Sequence, residues 1–238
     1  MSLGVPREDV PGFAALGVVA FTTTRQAGTF GTAGSDPIGE VMGRWWSLVD
    51  SLRDASPRLA TARQVHGTRV LVHGLTWQGW LRHDAADGHV APDRGTALAV
   101  TIADCVPVFI AHPSGACAML HAGWRGTAGN ILGAGVAAMR QAGLAARDLH
   151  VHLGPAICGR CYEVGPDVYA QITGKSTPST TCVNLRAILA GQATALGISD
   201  VTISERCTRC DNDRFFSHRA GDAGRMLAVA VAPAERPN

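Results

Sequence analysis

The stretch Leu98–Ala142, LAVTIADCVPVFIAHPSGACAMLHAGWRGTAGNILGAGVAAMRQA, decides the fold class. Its first half holds three short apolar runs, Leu98–Ala103, Val106–Ala111 and Ala116–His121. Apolar and polar residues hardly alternate within them, which is the pattern of strands covered on both faces, so they read as the centre of a sheet. After Gly123 and Gly126 the period changes. Ile131, Leu132, Gly135, Val136 and Met139 recur at three- and four-residue intervals, predicting a helix over Thr127–Ala142 that stops before Gly143 and lies against that sheet.

Working outward, Leu149–Leu153, Val201–Ser204 and Arg225–Ala232 read as strands, Gly165–Ile172 as a short helix, and Asn184–Leu196 as a helix closed by Gly197. Upstream, Leu16–Thr24 has the β-branched density of a first strand. Asp36 and Pro37 open a helix over Ile38–Leu52 with Val41, Trp45, Leu48 and Leu52 on one face. Leu59–His66 and Thr68–His73 are two further short strands split by Gly67. Clustered strands with interspersed helices, without repeats or a low-complexity linker, predict an α+β fold: one layered domain of mixed β-sheet and packed helices over residues 1–238, with its core in 16–232. Residues 1–12 and Pro233–Asn238 are expected to be frayed and without function.

Composition narrows the function classes. Of 238 residues, 46% are hydrophobic and 17% charged, so most of the chain is not disordered. A net charge of +2 without a basic run argues against nucleic acid as a partner. Asp104 interrupts the longest apolar candidate for a membrane span, and Gly12–Phe21 lacks the flanks of a signal peptide, so a cytoplasmic protein with no membrane partner is expected. The seven cysteines are an odd number in a chain large enough to need no disulfides. Metal or catalytic roles for them follow as the readings to test.

Three segments place a reactive side chain where an apolar strand gives way to a turn: Gln64-Val65-His66-Gly67, Ala103-Asp104-Cys105-Val106-Pro107 and His121-Ala122-Gly123-Trp124-Arg125-Gly126. His66, Cys105 and His121 are the donor types zinc prefers, and three protein ligands with an open fourth position is the layout of a catalytic zinc. The same residues allow a metal-free alternative in which Cys105 is a thiolate nucleophile and His121 its base. Only the zinc reading requires His66. Two CxxC pairs, Cys158–Cys161 and Cys207–Cys210, could form a structural zinc cluster, but they are separated by much more than the roughly 12–20 residues usual in such a site, so buried or pocket-lining thiols are the stronger reading and the cluster the weaker one. Arg125, with Gly123 and Gly126 at a helix start, suits an anion such as phosphate, or the glycines only make a tight turn. Phe215-Phe216-Ser217-His218-Arg219 reads as a core aromatic pair followed by a polar rim.

Together with Leu153-Gly154-Pro155, Cys161-Tyr162-Glu163-Val164-Gly165 and Cys207-Thr208, these segments resemble the YfiH-like laccase-domain family, once labelled multicopper polyphenol oxidase. The resemblance runs over residues 16–232 in the family's order. It implies an α+β fold distantly shared with cysteine-hydrolase-like toxin domains, and zinc held by His66, Cys105 and His121. The implied activity is on purine nucleosides: phosphorolysis of adenosine, inosine, guanosine or methylthioadenosine, and deamination of adenosine. A laccase-like polyphenol oxidase with copper is the weaker alternative, because no further His-rich copper cluster is present. By the same resemblance Arg25 reaches the substrate from its loop, and Gln64 and Asp87 orient the zinc water or a ligand at the substrate site; Arg125, with the amides at the start of the following helix, is our own assignment for holding the phosphate, and Cys161 is expected to line the pocket. This chain departs from the family pattern in Gln26-Ala27-Gly28, in the short loop from Phe30 to Asp36, and in placing His89 near the pocket.

Overall fold

The computed structural model describes residues 4–234. Its strands are β1 (Arg7–Asp9), β2 (Val19–Thr23), β3 (Arg58–Ala62), β4 (Val70–Val72), β5 (Gly79–His83), β6 (Gly88–Ala91), β7 (Thr96–Ile102), β8 (Val106–Ala111), β9 (Cys117–Ala122), β10 (His150–Leu153), β11 (Glu163–Val164), β12 (Thr181–Cys182), β13 (Asp200–Ile203) and β14 (Met226–Val231). The helices are α1 (Ile38–Leu52), α2 (Trp124–Ala128), α3 (Ile131–Gln141), α4 (Pro166–Thr173) and α5 (Leu185–Ala195). One mixed sheet runs β1-β2-β14-β7-β3-β5, a second runs β13-β10-β8-β9-β6-β4, and β11 pairs with β12. The fold is α+β, as expected.

Alternation along the strands shows how the layers stack. In β7, Leu98, Val100 and Ile102 join Phe109, Cys117 and Met119 in a core between the two sheets. Ala97 and Ala99 face the other way, toward Val41, Trp45, Leu48 and Leu52 of α1. In β9, Ala118, Leu120 and Ala122 pack on Ile131, Leu132, Val136 and Met139 of α3, with Leu185, Leu189 and Ala193 of α5 in the same core. The order of layers is therefore helix, sheet, sheet, helices. Each fully buried leucine or phenylalanine in such a core contributes about 1.5–3 kcal/mol.

Several sequence expectations are corrected. The three runs of Leu98–His121 do not share a sheet: β7 lies in the first, and β8 and β9 in the second. Apolar density identifies burial but not which side a strand pairs on. The helix expected over Thr127–Ala142 is two helices, because Asn130 takes a left-handed backbone (φ 61) and caps α3 by accepting from the Gly133 amide. Asp36 makes no capping bond, and Pro37 is the N-cap of α1. Arg7–Asp9, expected to be frayed, pairs antiparallel with β2 and is the first strand, and Phe13–Leu16 is a 3₁₀ turn. Residues 1–3 and 235–238 of the expected frayed ends lie outside the described residues. No helix among the described residues is long and apolar enough to cross a membrane.

Candidate functional site

The three motif segments meet where the chain passes between the sheets. His66 follows β3 of the first sheet, Cys105 lies in the crossover from β7 to β8, and His121 is on β9 of the second. Alternation puts His121 on the same face of β9 as Cys117 and Met119, looking toward the opposite sheet. The ligand atoms of His66, Cys105 and His121 all lie within 4.8 Å of one another.

Asp87, just ahead of β6, builds this arrangement. Its buried carboxylate accepts from the backbone amides of His66 (2.9 Å), Gly67 (2.8 Å) and Val65 (3.1 Å), and from His121 Nδ1 (2.9 Å). The amide bonds hold His66 in a left-handed backbone (φ 59), a conformation that costs a non-glycine residue on the order of 1–3 kcal/mol. Binding Nδ1–H of His121 leaves Nε2 as the free ring nitrogen, the usual way a carboxylate orients a metal-binding histidine. Burial works to raise the Asp87 carboxyl, yet the bonds from His121 and the amides hold it below the ordinary carboxylate range.

Cys105 is aimed by Asp104, another left-handed residue (φ 82). The Asp104 carboxylate accepts from Thr208 Oγ1 (2.6 Å) and the Arg219 amide (2.7 Å), and its carbonyl accepts from the Ile157 amide (3.1 Å). Burial pushes the Cys105 thiol up, but His121 and His66 beside it outweigh that and bring it to about 6. Burial likewise lowers His121, while the Cys105 thiolate and Asp87 carry it to about 9. Gly123 lets the turn after β9 pass this close: a Cβ there would lie 3.0 Å from Cys105 Sγ and 3.0 Å from His66 Cδ2. Two imidazoles and a thiolate, with a buried carboxylate behind one imidazole, fit zinc.

His66, Cys105 and His121 line a cavity of about 1170 Å³, with Gln64, Arg125 and Tyr162 on its walls. The Arg125 guanidinium stacks on Trp124 at 4.4 Å and has no hydrogen-bond partner among the described residues, so it is available to an anion.

The other expected site residues sit elsewhere or are already engaged. Gln64 reaches the cavity wall, but its side-chain amide pairs with the backbone of Thr101 (Nε2 to O 2.8 Å, N to Oε1 2.8 Å) like one more rung of the β3–β7 ladder. Asp87 orients His121 and does not line the cavity. Arg25 does not line the cavity: it binds Asp222 (2.6 Å) and the carbonyls of Asn212 and Phe215, and stacks on Phe216 at 4.4 Å. It holds the loop carrying His218 and Arg219, which line the cavity. His89 does not line the cavity. It is buried and hydrogen-bonded to His73 (3.0 Å), on the face of β6 that looks away from α3.

Cys161 does not line the cavity either; it lies with Cys158, Cys207 and Cys210, whose four sulphurs fall within 4.8 Å of one another. The separation in sequence is bridged by one parallel pairing, Ala156 with Cys207. Sequence reasoning also missed Tyr162, Arg219 and Asp104 as parts of the site. The left-handed backbone of Asp104, which aims Cys105, has no signature in a string of letters.

Residues 22–233 match the family described as multi-copper polyphenol oxidoreductase laccase. The chain is 36% identical over 207 residues to purine nucleoside phosphorylase SCO2081 of Streptomyces coelicolor, spanning 82% of this chain and 84% of that protein. It is 32% identical over 244 residues to purine nucleoside phosphorylase YlmD of Geobacillus stearothermophilus, spanning 89% of each. A crystal structure of YlmD from Geobacillus stearothermophilus superposes with a TM-score of 0.85 at 30% identity over 93% of both chains. That of Bacillus licheniformis YfiH superposes with a TM-score of 0.86 at 24% identity, covering 95% of this chain and 96% of the other, and speaks to the fold alone. With its motif turns, layered sheets and relatives in agreement, the chain belongs to the multi-copper polyphenol oxidoreductase laccase family, the YfiH-like laccase-domain proteins.

Proposed function

We propose that the protein is a zinc-dependent purine nucleoside phosphorylase that also deaminates adenosine. The observation that carries this reading is His66, held in a costly backbone conformation by Asp87 so that its ring meets Cys105 and His121. A hydrolase using Cys105 as nucleophile and His121 as base has no use for that second imidazole. The relatives' names support the substrate class.

When held by His66, Cys105 and His121, zinc supplies Lewis acidity toward a water or a substrate oxygen. The chain's own groups bind and orient. In phosphorolysis a phosphate oxygen bonds to ribose C1′ as the C1′–N9 bond breaks, and the base leaves with the electron pair and gains a proton. Arg125, steadied on Trp124, is assigned to hold that phosphate by bidentate hydrogen bonds. Asp87 keeps the proton on His121 Nδ1. Burial, and then the Cys105 charge, push Tyr162 up to about 12, so its hydroxyl stays protonated as a donor in the cavity wall.

The test is base release from inosine and adenosine with and without phosphate, with ribose 1-phosphate and ammonia measured alongside zinc content. Phosphate-dependent release by the native protein, lost together with zinc in His66→Ala, is expected. Full turnover by His66→Ala would overturn the zinc reading in favour of the cysteine hydrolase. Copper in the purified protein with turnover of a phenol would replace it by the oxidase.

A further inference from the structure

Behind one wall of the cavity, the Cys158-Gly159-Arg160-Cys161 turn faces the Cys207-Thr208-Arg209-Cys210 turn. Each is a tight turn: the Cys161 and Tyr162 amides donate to the Cys158 carbonyl (both 3.0 Å), and the Asp211 amide donates to the Cys207 carbonyl (2.9 Å). The pairing of Ala156 with Cys207 fixes the two turns side by side. We propose that Cys158, Cys161, Cys207 and Cys210 form a second metal centre, a closed tetrathiolate site for structural zinc that staples these two turns together.

Three observations carry it. First, the donor geometry fits. A tetrahedron with Zn–S bonds of about 2.3 Å has sulphur–sulphur edges of roughly 3.8 Å. The four sulphurs lie within 4.8 Å of one another, and Cys161 and Cys210 are 3.5 Å apart. Second, the backbone prepares for thiolates. The amides of Cys158 (3.2 Å) and Cys210 (3.4 Å) both point at Cys207 Sγ, the outer-shell bonding that stabilises ligand charge at metal sites. Third, cations stand close by to balance four thiolates. Both turns carry arginine just before their second cysteine, Arg160 and Arg209, and Arg209 donates to the Cys161 carbonyl (3.4 Å). Buried Arg186 donates to the carbonyls of Ser204 and Arg206, immediately before Cys207.

The site has four ligands and no open position, so its task is structural. Its neighbours show what it steadies. Ile157 and Tyr162, flanking the first turn, line the cavity, and Thr208 in the second bonds to Asp104 beside Cys105. A metal here joins segments far apart in sequence, closing a long loop whose ordering is otherwise unfavourable.

The test is elemental analysis of the full chain, purified under reducing conditions without added metal, as native protein, Cys105→Ser and Cys161→Ser/Cys210→Ser. About two zinc ions per native chain and about one in each variant are expected for one three-ligand and one four-ligand site. Cobalt exchanged into Cys105→Ser provides a second readout that does not depend on the double variant folding. It should give the intense thiolate-to-cobalt absorption of a four-sulphur tetrahedral site. Zinc content unchanged by Cys161→Ser/Cys210→Ser, absence of that absorption, iron in place of zinc, or a Cys161–Cys210 disulfide in the purified protein would each overturn the proposal. Because Cys105→Ser reports the first site separately, failure of the nucleoside reading and failure of this one give different patterns.

Discussion

In the His66–Cys105–His121 cluster the side chains come from two loops and one strand that serve two different sheets, whereas the four cysteines come from two facing turns joined by a single bridge. The first cluster opens on a cavity, leans on the buried carboxylate of Asp87, and mixes nitrogen with sulphur. The second is all sulphur and is steadied by backbone amides. The difference matches the two roles proposed above. A site that must take substrate keeps a coordination position free and spends buried polar groups on aiming its ligands. One that only ties loops closes its shell.

Losing a ligand of the open site should have the largest effect: His66→Ala or His121→Ala should lower kcat/KM by roughly 10³-fold or more, with loss of one metal per chain, as zinc removal withdraws several kcal/mol of charge stabilisation. Retained activity would erase the distinction between the clusters. Asp87→Asn comes next. It keeps the shape but weakens the orientation of His121, so metal affinity should fall by roughly 10–100-fold, measured by competition with a chelator. Arg125→Ala should raise the KM for phosphate by about tenfold with zinc content unchanged, since it removes one charge-assisted contact and no ligand. Equal kinetics in that variant would move the phosphate elsewhere in the cavity.

The smallest effect concerns histidines outside both clusters. Burial, then neighbouring charge, lowers His73 to about 4, His89 to about 3 and His152 to about 4, the opposite of His121. The unfolded chain therefore binds more protons than the folded one below about pH 6.5, and stability falls as pH drops from there toward 4. Each neutral imidazole that must charge should cost on the order of 1–3 kcal/mol. Urea midpoints at pH 7, 5 and 4 measure this, and a flat profile would show that these rings are hydrated.

Much of the molecule was legible in its letters. Strands with continuous apolar runs, such as Val106–Ala111, and the helix face of Val41, Trp45, Leu48 and Leu52 follow from burial and period. The strand Gly79–His83 was not legible: it lies at a sheet edge, is mostly exposed, and has no apolar pattern. Arg25 sits in a familiar motif, yet nothing in the order of residues shows that Asp222 satisfies it.

The sequence by itself determined the family, the buried strands, and the three residue types at His66, Cys105 and His121, because local period and motif turns are properties of neighbouring residues. Only the tertiary structure decided that the strands divide between two sheets, that Asp87 reaches two of the three ligand segments, and that four cysteines far apart in sequence share one place. Those outcomes depend on which surfaces pack and on where backbone amides find buried acceptors. Both are settled by long-range contacts, not by any stretch of chain read alone.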